Sequence, residues 1–165
     1  QLEAELCSRP LHLVDFGCAR RFVESSTGRH ISSSRKGLVG TARFASIPNH
    51  RCERLGRRDD LIALSYMLSF LHKGSLPWSG VKGSTKQERF ARVLKIKEAT
   101  SNDLLFMGMP AEYAEFARRC QTLKHDEQPD YRGLASLLTS APDADSSAPH
   151  DVQPHRRSFN LRAHA

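Results

Sequence analysis

Between residues 59 and 73 this chain carries a segment that is apolar on nearly every side. Leu61, Ile62, Leu64, Met67, Leu68, Phe70 and Leu71 cover most of a helix's circumference. Asp59 and Asp60 suit the positive N-terminal end of such a helix, and Gly74 supplies a stop. A helix apolar all round is normally enclosed by its domain. Such a helix therefore needs covering elements, and 165 residues point to one domain.

The segments that follow are predicted to be mostly helical. Residues 85–99 form an amphipathic pattern with Phe90, Val93, Leu94 and Ile96 inward. Pro110 precedes a helix over about 111–122, with Tyr113, Phe116 and Ala117 on one face. Asp130 caps a last helix carrying Leu134, Leu137 and Leu138. Residues 74–78 (Gly-Ser-Leu-Pro-Trp) read as a turn anchored by Trp78. Upstream, 11–14 form a short strand, and 18–22 form its return. Residues 23–39 make a loop rich in Ser, Gly, Arg and Lys, including the Ser32–Ser34 run. After Thr139 the composition turns to Ser, Ala, Pro, Asp and His, so the tail over 139–165 is expected to be disordered. His150, His155 and His164 lie in that tail and are expected to be solvated.

Composition narrows the function classes. No stretch approaches ~18 consecutive apolar residues, so no membrane span is expected. Gln1 to Leu6 carries neither a basic region nor a long apolar run, so no signal peptide is expected there. Cys7, Cys18, Cys52 and Cys120 lack the short paired spacings of zinc or redox motifs. Only His50 and Cys52 lie close in sequence, and nothing nearby completes four ligands. Reduced thiols in a cytoplasmic or nuclear protein are the expectation. Residues 20–58 hold ten Lys or Arg against Glu24 and Glu53, a local excess of +8 beside a whole-chain charge of +7. Such a field attracts phosphates, acidic peptides or nucleic acid, or is a solvated loop face. Phe22 and Phe44 are the only aromatics there for stacking on bases, which is thin support for nucleic acid.

The order of several short motifs is the specific signal. Leu13-Val14-Asp15-Phe16-Gly17 is followed by GTARFAS over 40–46 and by Ile47. Then come Arg57-Arg58-Asp59-Asp60-Leu61, GSLPWSG over 74–80, Thr85-Lys86-Gln87-Glu88-Arg89-Phe90, Gly108-Met109-Pro110-Ala111-Glu112-Tyr113 and Pro129-Asp130-Tyr131. In this order and spacing the set resembles the C-terminal lobe of casein kinase 1 family Ser/Thr protein kinases, over roughly residues 11–138. The implied fold is mainly α: a partial protein-kinase-like domain over 1–138, with a helical lobe and a short β-hairpin at its N-terminal end. Only 14 residues precede Asp15. The ATP-binding lobe and the catalytic loop are thus absent from the sequence, as expected of a fragment.

The resemblance also implies roles. Asp15 would chelate the Mg2+ that bridges ATP phosphates, within a cofactor-binding Asp15-Phe16-Gly17 turn. Thr41 would face the acceptor hydroxyl and bond the catalytic Asp. Arg43 and Arg89, with Lys86, would grip a phosphate or acidic group on the substrate, since guanidinium forks bind phosphate oxygens bidentately. Asp60 would accept hydrogen bonds from the catalytic-loop backbone, or act simply as a cap. Without that loop its carboxylate meets water or goes unsatisfied. The chain departs from the pattern at Pro48, which removes a backbone donor where the family has Asn, with Asn49 one position late. Cys18 replaces a common Leu, and Ser32-Ser33-Ser34-Arg35 replaces Pro-Tyr-Arg-Glu after His30-Ile31.

The implied function is that of part of an ATP- and Mg2+-dependent kinase of acidic or phospho-primed proteins. The isolated chain is expected to be inactive and to bind neither cofactor tightly. The alternatives are a non-catalytic module for phosphorylated or acidic peptides, or half of a split kinase complemented by the missing lobe. In either case the residue 59–73 helix needs a covering partner or a second copy.

Overall fold

The computed structural model describes residues 12–31 and 37–142. Cys7, Leu11, the Ser32–Ser34 run and the tail from residue 143 lie outside the described residues. The described residues are mainly helical: α1 (Ile47–His50), α2 (Arg57–Lys73), α3 (Lys86–Ala99), α4 (Asn102–Leu105), α5 (Ala111–Thr122) and α6 (Tyr131–Thr139). None of these helices is long and apolar enough to cross a membrane.

Local chemistry explains where the helices start and stop. Thr85, Ser101 and Asp130 each accept a backbone N–H from the first turn of α3, α4 and α6. α2 ends at Gly74 in the left-handed region (φ 73°), whose N–H closes on Phe70 O. Its start is tighter. Asp59 in the first turn reaches back to the Gly56 N–H at 2.8 Å. A Cβ on Gly56 would stand 2.3 Å from His125 O, so only glycine lets the 123–127 turn approach.

The core joins Ile62 and Tyr66 of α2 to Leu76, Trp78, Val93, Leu105, Phe106, Phe116, Ala117, Cys120 and Leu134. α2 and α5 form the main helix contact. The face that α2 turns inward corrects the sequence expectation. Ser65 and Ser69 are fully buried, whereas Leu71 is 70 % and Met67 40 % exposed. Leu61, Leu64, Leu68 and Phe70 are half-buried. Small side chains let two helices come close, and their hydroxyls are satisfied at Ile62 O and Leu105 O. Ile62 and Tyr66 share that inward side and Leu61, Leu64 and Phe70 pack at its edge, while Met67 and Leu71 stay outward, so within the described residues α2 is only partly enclosed.

The N-terminal hairpin is also corrected. Among the described residues no strand forms: Leu13 and Val14 are exposed, and the chain turns at a 3₁₀ segment, Phe16–Cys18. A single antiparallel bridge joins Val23 to His30 around the 25–27 turn. A short ribbon with one solvated face and no third strand has little to hold it.

Two short helices were not expected. α1 uses Ser46 as its cap and accommodates Pro48 in its first turn, where no N–H is needed. Asn49 then turns inward and brackets Val39, donating to Val39 O (2.9 Å) and accepting from Val39 N (3.1 Å). The Pro48 departure thus leaves this loop anchored.

Candidate functional site

The 40–46 loop is held from three sides. Trp78 Nε1 donates to Arg43 O at 2.7 Å. Ser46 Oγ donates to Asp59 Oδ1 at 2.6 Å. Lys97, itself 3 % exposed, donates to Ala42 O (2.9 Å) and Ala45 O (2.5 Å). Its ammonium also sits over the rings of Tyr66 (4.8 Å) and Trp78 (4.9 Å). No salt bridge to Lys97 occurs among the described residues.

Lys97 escaped the sequence reading. The signal was nevertheless present: it continues the inward register of Phe90 and Val93 on α3, at spacings of three and four residues. A lysine on the apolar stripe of a helix is a buried charge in waiting.

Burial lowers the Lys97 pKa to about 7 from 10.5. Its carbonyl and ring partners favour the cation, but loss of water is the larger influence. His50 packs beside it: burial first, then the Lys97 charge, lower the imidazole, opposed by the hydrogen bond to Ala42 O. Tyr66 and Cys120 are pushed up to about 12 by burial. A folded ammonium near 7 and an unfolded one near 10.5 mean that the unfolded chain binds more protons across that interval. Stability therefore rises as pH climbs from about 7. Between pH 7 and 9 the gain is about 2 kcal/mol. Above pH 9 ionisation of Cys120, then of Tyr66, in the unfolded chain opposes it. Urea unfolding of the parent and of Lys97→Met at both pH values should show this gain in the parent alone. A difference independent of pH would contradict a buried, unneutralised ammonium.

Arg43 lies against one pair of aromatic rings, and Lys86 and Arg89 lie against another ring. The Arg43 guanidinium lies 4.9 Å from the Phe70 centroid and 5.9 Å from that of Phe44. Lys86 and Arg89 lie 5.5 and 5.9 Å from the Phe90 ring. The two groups are linked: Phe90 meets the His50 ring edge-on, and His50 Nε2 lies 3.1 Å from Ala42 O, next to Arg43. Among the described residues no carboxylate lies within salt-bridge distance of Arg43, Lys86 or Arg89, whereas Arg51, Arg92, Arg118 and Arg119 are paired. Gly83 permits this arrangement, since a Cβ there would stand 2.7 Å from Arg89 N.

Asp15 stands apart from this cluster. It adopts the left-handed region (φ 63°), and its carboxylate accepts the Gly17 N–H at 3.3 Å. Phe16 and Gly17 are exposed beside it, and no hydrogen bond joins Asp15 to Thr41 among the described residues. Thr41 is exposed, and its carbonyl accepts from Phe44 N and Ala45 N. A magnesium ion prefers near-octahedral oxygen ligation. The described residues contain no cluster of three His, Cys, Asp or Glu side chains placed to hold a metal. Asp15 offers one exposed carboxylate, and magnesium is commonly held by one or two carboxylates together with phosphate oxygens and waters.

Asp60 is exposed and meets water, whereas its neighbour Asp59 is 5 % exposed and makes the loop contacts. Packing around the Asp60 carboxyl, and then the Asp59 charge, raise its pKa. Asp59 is the buried carboxylate of the pair, placed where Ser46 Oγ and the Gly56 N–H converge.

No model of a known protein family matches the chain.

Proposed function

We propose that this chain is the substrate-recognising helical part of a casein kinase 1-like Ser/Thr kinase, and that alone it binds phosphorylated or acidic peptides without transferring phosphate. The observation that carries this reading is that Arg43, Lys86 and Arg89 are exposed cations with no carboxylate among the described residues to neutralise them. Exposed guanidinium groups next to a rigidly anchored loop suit the oxygens of a phosphoryl group. The ordered motifs from Asp15 to Tyr131 support placing those cations in a kinase setting.

Phosphoryl transfer needs a lid over the phosphates, an orienting lysine, an acceptor-orienting Asp and an Asn for a second magnesium. These would have to come from polypeptide outside residues 1–165. Acceptance of a separate ATP-binding lobe in trans is the second reading. The exposure of Leu13, Val14 and Phe16 on either side of Asp15 favours it, because apolar side chains at 83, 75 and 65 % exposure suit a covering surface.

Fluorescence anisotropy with a labelled phosphoserine peptide tests the binding. Arg43→Ala and Arg89→Ala should each weaken binding about 10-fold, and the unphosphorylated peptide should bind correspondingly worse. Casein phosphorylation by the purified chain should stay at background, with Asp15→Ala no different. Casein phosphorylation that Asp15→Ala abolishes would make the isolated chain an enzyme, and equal binding of both peptides would remove the phosphate preference.

A further inference from the structure

Away from the exposed cations, a cleft of about 300 Å³ opens between α1, α2, α3 and the α4–α5 region. Pro48, Ile62 and Trp78 give it apolar walls, and Lys97 and Arg58 give it two cations. This volume is at the small end of ligand pockets, which combine apolar lining with a few placed polar groups.

The polar groups around the cleft differ in how far they are already engaged. Asn102 and Gln121 hold each other through both amides, at 3.0 and 3.1 Å. The Glu98 carboxylate is taken by Arg51 at 2.6 Å. Arg58 donates through Nη1 to Leu123 O at 2.8 Å, but its Nε is buried without a hydrogen-bond partner. The Asp59 carboxylate lies 3.9 Å from that Nε and accepts instead from Ser46 and Gly56. Lys97 is the most deeply buried cation and has only carbonyls and rings about it. The cleft thus joins an aromatic wall to an excess of buried positive charge. A buried charge is stabilised most when an opposite charge meets it with good geometry.

We propose that this cleft is a binding site for a small carboxylic acid with a flat apolar body. The body lies against Trp78 and Ile62, and the carboxylate faces Lys97 and Arg58. None of Arg43, Lys86 and Arg89 lines this cleft.

Trp78 is the only tryptophan in the chain, so its emission reports on the cleft wall directly. Sodium benzoate is the probe and benzamide its uncharged counterpart. Benzoate should change the Trp78 emission saturably, with half-saturation on the order of 1 mM, and benzamide should bind at least about 10-fold more weakly. Lys97→Met should weaken benzoate about 10-fold, with Arg43→Gln/Arg89→Gln unchanged. If Lys97→Met fails to fold, Arg58→Gln carries the test, with an expected loss of about 5-fold. Absence of saturation at high benzoate, equal affinity for benzamide, or a response that survives Arg58→Gln but vanishes in Arg43→Gln/Arg89→Gln would each overturn the proposal.

Discussion

Asp59→Asn should cost about 3 kcal/mol of folding stability, while Asp60→Asn, one residue away, should leave it unchanged or slightly higher. Both Asp59 oxygens are used: Oδ1 accepts from Ser46 Oγ at 2.6 Å and Oδ2 from Gly56 N at 2.8 Å. An amide turns one acceptor into a donor that faces another donor in a buried place. Arg58, 3.9 Å away, also loses its nearest negative charge. Asp60 has the opposite balance. Its pKa is raised by packing around it and by Asp59, so folding disfavours its charged form near neutral pH. That penalty fades as pH falls through the raised folded pKa, and Asp60→Asn removes it at every pH. Urea unfolding of the two variants at neutral pH, followed by circular dichroism, decides the matter. A larger loss for Asp60→Asn would contradict the buried bonds of Asp59 as the main support of this turn.

Phe116→Ala should cost about 4 kcal/mol, and Leu71→Ala less than about 0.5 kcal/mol. Phe116 is 2 % exposed on α5, in a core that also holds the fully buried Ala117 and Cys120. Small neighbours of this kind cannot swing in to fill the void, so the cavity term stays large. Leu71 belongs to the most apolar segment of the chain yet is 70 % exposed. Denaturant midpoints with unchanged m-values would confirm the contrast. A costly Leu71→Ala would mean that a second copy covers that face in solution, and its effect would then depend on protein concentration.

The helices most legible in the sequence were those with one face to declare. α3, α5 and α6 show apolar residues at helical spacing behind a clear start, and their bounds fall within a residue of expectation. α2 was legible as a helix but not as to its inward face. When apolar residues surround the axis, periodicity carries no direction, and closeness of approach selects Ser65 and Ser69 instead. α1 and α4 are one turn each, held by Ser46 and Ser101 caps rather than by any apolar pattern. The N-terminal hairpin was read from an apolar run alone, which cannot say whether a partner strand exists. Of the site, Arg43, Lys86 and Arg89 were read from motifs, and each lies against an aromatic ring. Lys97 was missed because a charged residue was assumed to face water. Asp60 was assigned, from the resemblance, to the catalytic-loop backbone, a segment outside this sequence, and the bonds of Asp59 to Gly56 and Ser46 were not read from the sequence.

The seam between Gly56 and the 123–127 turn has a consequence for the order in which the chain becomes structured. Gly56 abuts His125, Arg57 donates to Asp126 O and Arg58 donates to Leu123 O, contacts that span 65 to 69 residues. During synthesis the first turn of α2 leaves the ribosome long before the segment that fastens it. Until residue 127 has emerged, that end of α2 lacks its latch, although its apolar middle is already exposed. The waiting interval lets a chaperone or a partner chain reach the leucine faces of α2 before this domain has closed on itself.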